Sequence, residues 1–170
     1  MGKIEEVFVI DSNTFMQAAR TYYSFARALP FWNAMVEYAE QDKIVSIDRV
    51  FQEIKEGNDE LKEWARSGFS SYFDSTKSDE VLKYYAQLVN WAQSHTQYSQ
   101  PAKDEFMELD NADAWIIAYA LANKCIVVTS EKESPAAKSR IPIPNVCREF
   151  GVDFCNIFDM LDTLGFTFIK

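Results

Sequence analysis

Residues 109–131, Leu-Asp-Asn-Ala-Asp-Ala-Trp-Ile-Ile-Ala-Tyr-Ala-Leu-Ala-Asn-Lys-Cys-Ile-Val-Val-Thr-Ser-Glu, constrain the fold more than any other stretch. Asp110 and Asn111 are good N-caps, and Asp113 falls in the first turn, where the helix dipole favours an acid. From Ala112 to Leu121 only Asp113 is charged, so the predicted helix is buried on most of its circumference. Cys125 to Val128 is a short β-branched run of the kind that sits inside a parallel sheet. Thr129-Ser130-Glu131 follows at the strand's carboxyl end, where open α/β sheets place their ligands.

The same grammar recurs along the chain. Glu6–Ile10 reads as a strand ending in Asp11-Ser12-Asn13-Thr14, with Ser12, Asn13 or Thr14 able to cap the next helix. A helical period runs from Phe15 to Leu29, where Pro30 is expected to stop it, and a second helix covers Phe31–Glu40. Ile44–Ile47 is β-like. Asp48 opens the helix Arg49–Glu56, with Glu53 one turn before its end and Gly57 closing it. Asn58-Asp-Glu-Leu begins a helix carrying Leu61, Trp64 and Ala65, and Phe69–Lys77 is expected to be irregular. Ser78 caps a helix with a stripe from Val81 to Ala92, and Tyr98–Glu108 reads as a polar connection. Lys132–Pro144, with three prolines, is a loop. Asn145–Phe150 is a short helix stopped by Gly151, Val152–Cys155 a strand, Ile157–Leu164 a helix, and Phe166–Ile169 a last strand. Alternating strands and helices with no repeat and no linker imply one α/β domain over residues 1–170, a parallel sheet flanked by helices.

Composition narrows the chemistry. A hydrophobic fraction of 48% fits a globular chain, and no stretch approaches the roughly 20 apolar residues of a membrane span. Met-Gly-Lys-Ile-Glu-Glu shows no secretory leader, so a cytoplasmic protein is expected. Cys125, Cys147 and Cys155 form no Cys-x-x-Cys pair and lie in apolar surroundings, as reduced core thiols do. His95 is the only histidine, which removes most zinc hydrolase designs and any Ser-His-Asp triad not built on it. A net charge of −9 argues against a polyanionic partner. Residues 124–148 run the other way, with Lys124, Lys132, Lys138, Arg140 and Arg148 against only Glu131 and Glu133.

Asp11 and Glu131 end hydrophobic strands, Asp113 opens a helix beside one of them, and Glu53 faces inward behind a third strand. Strands ending on one rim bring such acids together. Carboxylates that share a pocket repel unless protonated or joined by a cation, and oxygen-only ligands select Mg²⁺ or Mn²⁺.

The segments Val7-Phe-Val-Ile-Asp11-Ser-Asn, Val50-x-x-Glu53, Asp113-Ala-Trp-Ile-Ile-Ala-Tyr-Ala and Ile126-Val-Val-Thr-Ser-Glu131 resemble, in order, the four motifs of the PIN-domain nucleases. Ile143-Pro-Asn-Val-Cys-Arg-Glu-Phe-Gly-Val is similar to a PIN-like branch among bacterial toxin–antitoxin proteins. The resemblance implies a three-layer α/β/α sandwich and a Mg²⁺- or Mn²⁺-dependent endoribonuclease, with one or two ions held by Asp11, Glu53, Asp113 and Glu131. It implies hydrolysis of RNA by a metal-activated water, a protein antitoxin as partner, and self-association. Two departures stand out. The fourth acid is Glu131 where Asp is common, and Asp110 competes with Asp113 for the third place. Ser12, Asn13, Thr129, Ser130, Lys132 and Arg140 are the expected supporting or substrate contacts. Two other readings compete: a catalytically silent binding module, and a phosphohydrolase with Asp11 as nucleophile.

Overall fold

Three short apolar runs and two pairs of residues between helices build the sheet in the computed structural model, which describes residues 5–57 and 59–169. The strands are β1 Phe8–Ile10, β2 Ile44–Ile47, β3 Phe73–Asp74, β4 Ile126–Val128 and β5 Phe154–Cys155. All pairings are parallel and the spatial order is β3-β2-β1-β4-β5. Every residue of β1 is buried, as expected of a strand covered on both faces. Crossovers between parallel strands are right-handed. Steps outward from β1 to β3 therefore lay their helices on one face, and the steps back to β4 and on to β5 lay theirs on the other. The result is the expected three-layer α/β/α sandwich. Strand order reverses between β1 and β4, the switch point at which such sheets bind ligands.

The helices are α1 Ser12–Gln17, α2 Leu29–Glu40, α3 Asp48–Lys55, α4 Glu60–Trp64, α5 Asp79–Ser94, α6 Gln100–Met107, α7 Ala112–Asn123, α8 Ile143–Phe150 and α9 Ile157–Leu164. The apolar helix of the organising stretch is α7. Ala112, Ala114 and all of Trp115–Ala120 are buried, and α7 packs most extensively on α5, with Trp115 stacked on Tyr85 at 3.8 Å between ring centroids. Asn111 is its N-cap, accepting from Asp113 N–H at 3.0 Å, whereas Asp110 is exposed in the preceding turn.

Several expected boundaries move. The helix predicted over Phe15–Leu29 stops being α-helical at Gln17 and continues as a π-helical turn, Ala18–Tyr22, closed by Tyr23 N–H to Ala18 O at 2.7 Å. Tyr23 stacks on Phe31 at 4.2 Å and its carbonyl accepts from Trp32 Nε1 at 2.6 Å, which draws the backbone out of the helix. Pro30 opens α2 instead of ending its predecessor, because a first-turn position needs no N–H partner. Pro144 does the same in α8, so that helix begins inside the expected loop.

Helix α6 occupies the predicted polar connection. Ser99 caps it at 3.3 Å, and it carries only two buried anchors, Ala102 and Phe106, too few to show a period. Strand β3 lies in the segment read as irregular and is two residues long, in register with Ser46 and Ile47. Phe166–Ile169 forms no strand; Phe166 and Phe168 pack as aromatics against Phe31 and Tyr23. The expectations placed on Met1–Ile4 and on Asn58 fall outside the described residues, and Asp59 is the residue that caps α4.

Among the described residues no helix is long and apolar enough to cross a membrane. The three cysteines are free thiols, and burial pushes Cys125 up to about 11 and Cys147 and Cys155 up to about 12. His95 ends α5, where its Nδ1 accepts from Gln97 N–H at 3.2 Å.

Candidate active site

Asp11 leaves β1 at the switch point with no exposed surface. Its N–H donates to Val128 O at 2.9 Å, and Thr14 Oγ1 donates to the same carbonyl at 3.2 Å, so the chain is tied to β4 as it turns into α1. From β4, Thr129 Oγ1 donates to Asp11 Oδ2 at 3.2 Å. The Ser12 hydroxyl lies 3.2 Å from Glu53 Oε2 and 3.5 Å from Asp11 Oδ1, bridging the two carboxylates. Glu53 is further fixed by the Ala112 N–H, which donates to its Oε1 at 3.0 Å across from α7. One hydroxyl and one helix-start amide thus hold an acid from α3 beside an acid from β1.

Three carboxylates are crowded here, and each is pushed towards its neutral form. Burial, then the charges of Asp113 and Glu53, raise Asp11 to about 8 against the lowering hydrogen bonds from Thr129 and Ser12. Burial raises Asp113 to about 6, opposed by Arg140 and aided by Glu105. Glu53 is raised chiefly by burial, which outweighs its bond from Ala112. A perturbed cluster of this kind at a sheet's switch point marks a functional site on physical grounds.

Glu131 reaches the same rim but meets different company. Its Oε1 is paired with Arg140 Nη2, and its Oε2 accepts from Ile143 N–H at 2.7 Å. Its own N–H donates to Thr129 Oγ1 at 3.1 Å, so one threonine links Glu131's backbone to Asp11's carboxylate. The Arg140 guanidinium also stands 3.8 Å from Asp113 Oδ2 while its side chain is 51% exposed, which puts it at the mouth between the two acids. The structure therefore brings Asp11, Ser12, Glu53, Asp113 and Thr129 together. Glu131 and Arg140 adjoin them as a pair. Lys132 and Ser130 are exposed on the loop beside β4, Asn13 is half-buried on α1, and Asp110 stays outside.

Sequence reasoning missed Arg49. Its Nη1 donates to Leu109 O at 2.8 Å, its guanidinium lies 4.3 Å over the Trp115 ring, and Trp115 Nε1 donates to the same carbonyl at 3.2 Å. That clamp fixes the start of α7 against α3 and so sets Asp113 relative to Glu53. The only signal available was an arginine four residues before Glu53, which on a helix reads as an ordinary solvated charge.

Residues 8–168 match the family described as "Domain of unknown function (DUF4411)". The chain belongs to the DUF4411 family. A comparison with curated protein sequences gives no match. Solved structures resemble this member of the family in fold. One is VapBC2 from Rickettsia felis bound to a DNA fragment from their promoter, at 15% identity and a TM-score of 0.51, covering 88% of this chain and 98% of that one. Another is VapBC-1 from nontypeable Haemophilus influenzae, at 12% identity and a TM-score of 0.51, covering 88% and 97%. At these identities the likeness is one of architecture, the three-layer α/β/α sandwich.

The clustered acids form a donor set of one kind. It is oxygen-only and anionic, which suits Mg²⁺ or Mn²⁺, and its raised titrations are the strain a bound cation relieves. Among the described residues no three such groups yet converge to ligand distance. Asp11, Glu53 and Asp113 fit the ion by chemistry and neighbourhood. Glu131 has both oxygens engaged and fits it only if Arg140 withdraws.

Proposed function

We propose that this protein is a metal-dependent endoribonuclease, the toxin of a toxin–antitoxin pair. The observation that carries the reading is Asp11: a fully buried carboxylate at the β1/β4 switch point, crowded by Glu53 and Asp113. Such a site favours a cation between the acids over three separate charges. Asp11, Glu53 and Asp113 would hold one or two Mg²⁺ or Mn²⁺ ions, with Glu131 joining when Arg140 releases it. A bound ion supplies charge neutralisation at a phosphodiester and lowers the pKa of water.

The chain's own residues do the positioning. Thr129 turns Asp11 Oδ2 inward, Ser12 locks Asp11 to Glu53, and Ala112 N–H fixes the far oxygen of Glu53. Arg140, half exposed beside Asp113, is placed to exchange a carboxylate for a substrate phosphate, which a guanidinium binds in the same planar fashion. Partners follow the same reading. The fold neighbours are VapBC structures, which supports a protein antitoxin; self-association, RNA as substrate and a cytoplasmic setting are further parts of the proposal. The test is cleavage of a structured RNA with Mn²⁺. Loss with chelator and in Asp11→Asn is expected, and activity retained in Asp11→Asn would remove the proposal.

One observation favours a silent binding module instead: the Glu131–Arg140 pair closes part of the rim. Absence of cleavage with every divalent ion, alongside tight binding of a basic partner, would select it. An Asp11 nucleophile is disfavoured, since the Asp-x-Asp pair common in such enzymes is replaced by Asp11-Ser12-Asn13.

A further inference from the structure

Beside the acids, a cleft of about 280 Å³ runs along the first helix, lined by Asn13, Met16, Gln17, Arg20 and Thr21 with Ser130 facing them. Its lining residues neighbour the site's residues in the chain. Asn13 is two residues beyond Asp11, and Ser130 stands between Thr129 and Glu131. The spacing 13, 16, 17, 20, 21 is one helical face, so Asn13 and Arg20 lie about 10 Å apart along the axis.

Two further observations give the cleft a charge and a shape. Residues 12–36 contain no Asp or Glu, in a chain with 26 acids, and carry Arg20 and Arg27. An acid-free segment of an acidic protein thus follows directly on its buried Asp11. Arg20 and Thr21 also fall within the π-helical turn Ala18–Tyr22, a register frequent at functional sites, although a second such turn, Ala65–Phe69, lies outside the cleft. Arg20 is exposed, with no carboxylate within salt-bridge distance among the described residues.

We infer that this cleft is a binding site for single-stranded nucleic acid, seating the nucleotide next to the scissile phosphate, with Arg20 gripping a flanking phosphate. The inference rests on the nuclease reading for its substrate but not for its chemistry. Asn13 and Gln17 each offer a donor and an acceptor for a base edge, Met16 gives an apolar floor, and a guanidinium at the far end suits a phosphate. The cleft is too small for a duplex groove wall and accepts a strand whose bases are splayed out.

The test is fluorescence anisotropy of the whole chain with a short labelled single-stranded RNA, and separately the DNA of the same sequence. Chelator is present throughout so that nothing is cut. Arg20→Glu is expected to weaken RNA binding about tenfold and to lower the salt slope by about one. Gln17→Ala is expected to weaken it about threefold with the slope unchanged. Arg27→Glu, on the same acid-free segment but away from the cleft, is expected to stay within about twofold. Far-UV circular dichroism checks that each variant is folded. Binding by the wild type that Arg20→Glu leaves intact, or that Arg27→Glu weakens equally, overturns the inference, as does no binding at all. A chain that binds through Arg20 yet cuts nothing with Mn²⁺ keeps the cleft and removes the nuclease reading. Preference for RNA over DNA is the expected result, since the Asn13 and Gln17 amides can also hydrogen-bond a 2′-hydroxyl; equal affinity would overturn that part.

Discussion

The two sides of the switch point use the same residue type to opposite ends. On the β1 side, Asp11 and Glu53 are held by a serine hydroxyl and a backbone N–H, with no cation beside them, and both are pushed towards their neutral forms. On the β4 side, Glu131 is neutralised by Arg140 and satisfied by Ile143 N–H, so its energy is spent on loop 132–142 and the start of α8. Neutral partners that orient a carboxylate without cancelling its charge leave it available to a metal. A guanidinium that cancels the charge removes it from that work. Asp113, nearly buried and 3.8 Å from Arg140, stands between the two regimes.

The largest effect is expected at Asp11. Asp11→Asn is expected to lower cleavage by at least about a hundredfold while the chain stays folded, because it removes a buried charge that nothing else replaces. Single-turnover assays with Mn²⁺, set beside circular dichroism, check both halves. Glu53→Gln should approach that loss. Glu131→Gln should cost activity only a few fold and stability about 2 kcal/mol, since it leaves Ile143 N–H and Arg140 poorly paired. Equal catalytic losses at Glu53 and Glu131 would erase the contrast between the two sides.

The pH dependence of stability follows from the same crowding. Asp11 is raised from 3.8 to about 8 and Asp113 from 3.8 to about 6. Between those values the folded chain holds more protons than the unfolded one, so stability is greatest below about pH 4 for these groups and falls as pH rises. Metal-free thermal melts should show this decline up to about pH 8. Asp11→Asn should flatten it and raise Tm at pH 8 by roughly 5 °C. A melt curve that rises with pH over this window through these groups would contradict the burial argument. The smallest effect expected is at Arg49. Arg49→Leu should lose about 1 kcal/mol and a few fold in activity by loosening α7 from α3, read as a shift of the chemical-denaturation midpoint.

What was legible in the sequence follows the range of the interactions that decide each feature. Asp11 and Asp113 could be placed because a strand end and a helix start are local events, written in Val7–Ile10 and Asn111–Ala114. A parallel sheet flanked by helices was legible from the alternation of strands and helices, and the three-layer sandwich from the motif resemblance. The π-helical turn at 18–22 was not, since Tyr23 is pulled out of register by Phe31 and Trp32, which come later in the chain. Strand β3 offers two residues and no period, and exists only because Ser46 and Ile47 are there to pair with it. The different fate of Glu131 was also hidden. Its partners Arg140 and Ile143 lie across a proline-rich loop whose path no local signal reports.

The most direct measurement is calorimetric titration of Mn²⁺ into the metal-free wild type, Asp11→Asn and Glu131→Gln near pH 7. Saturable binding with proton release is expected in the wild type, its loss in Asp11→Asn, and its survival in Glu131→Gln. A wild type that takes up no Mn²⁺, or an Asp11→Asn variant that binds it equally well, would contradict the claim that the buried acids of the β1 side form the working centre.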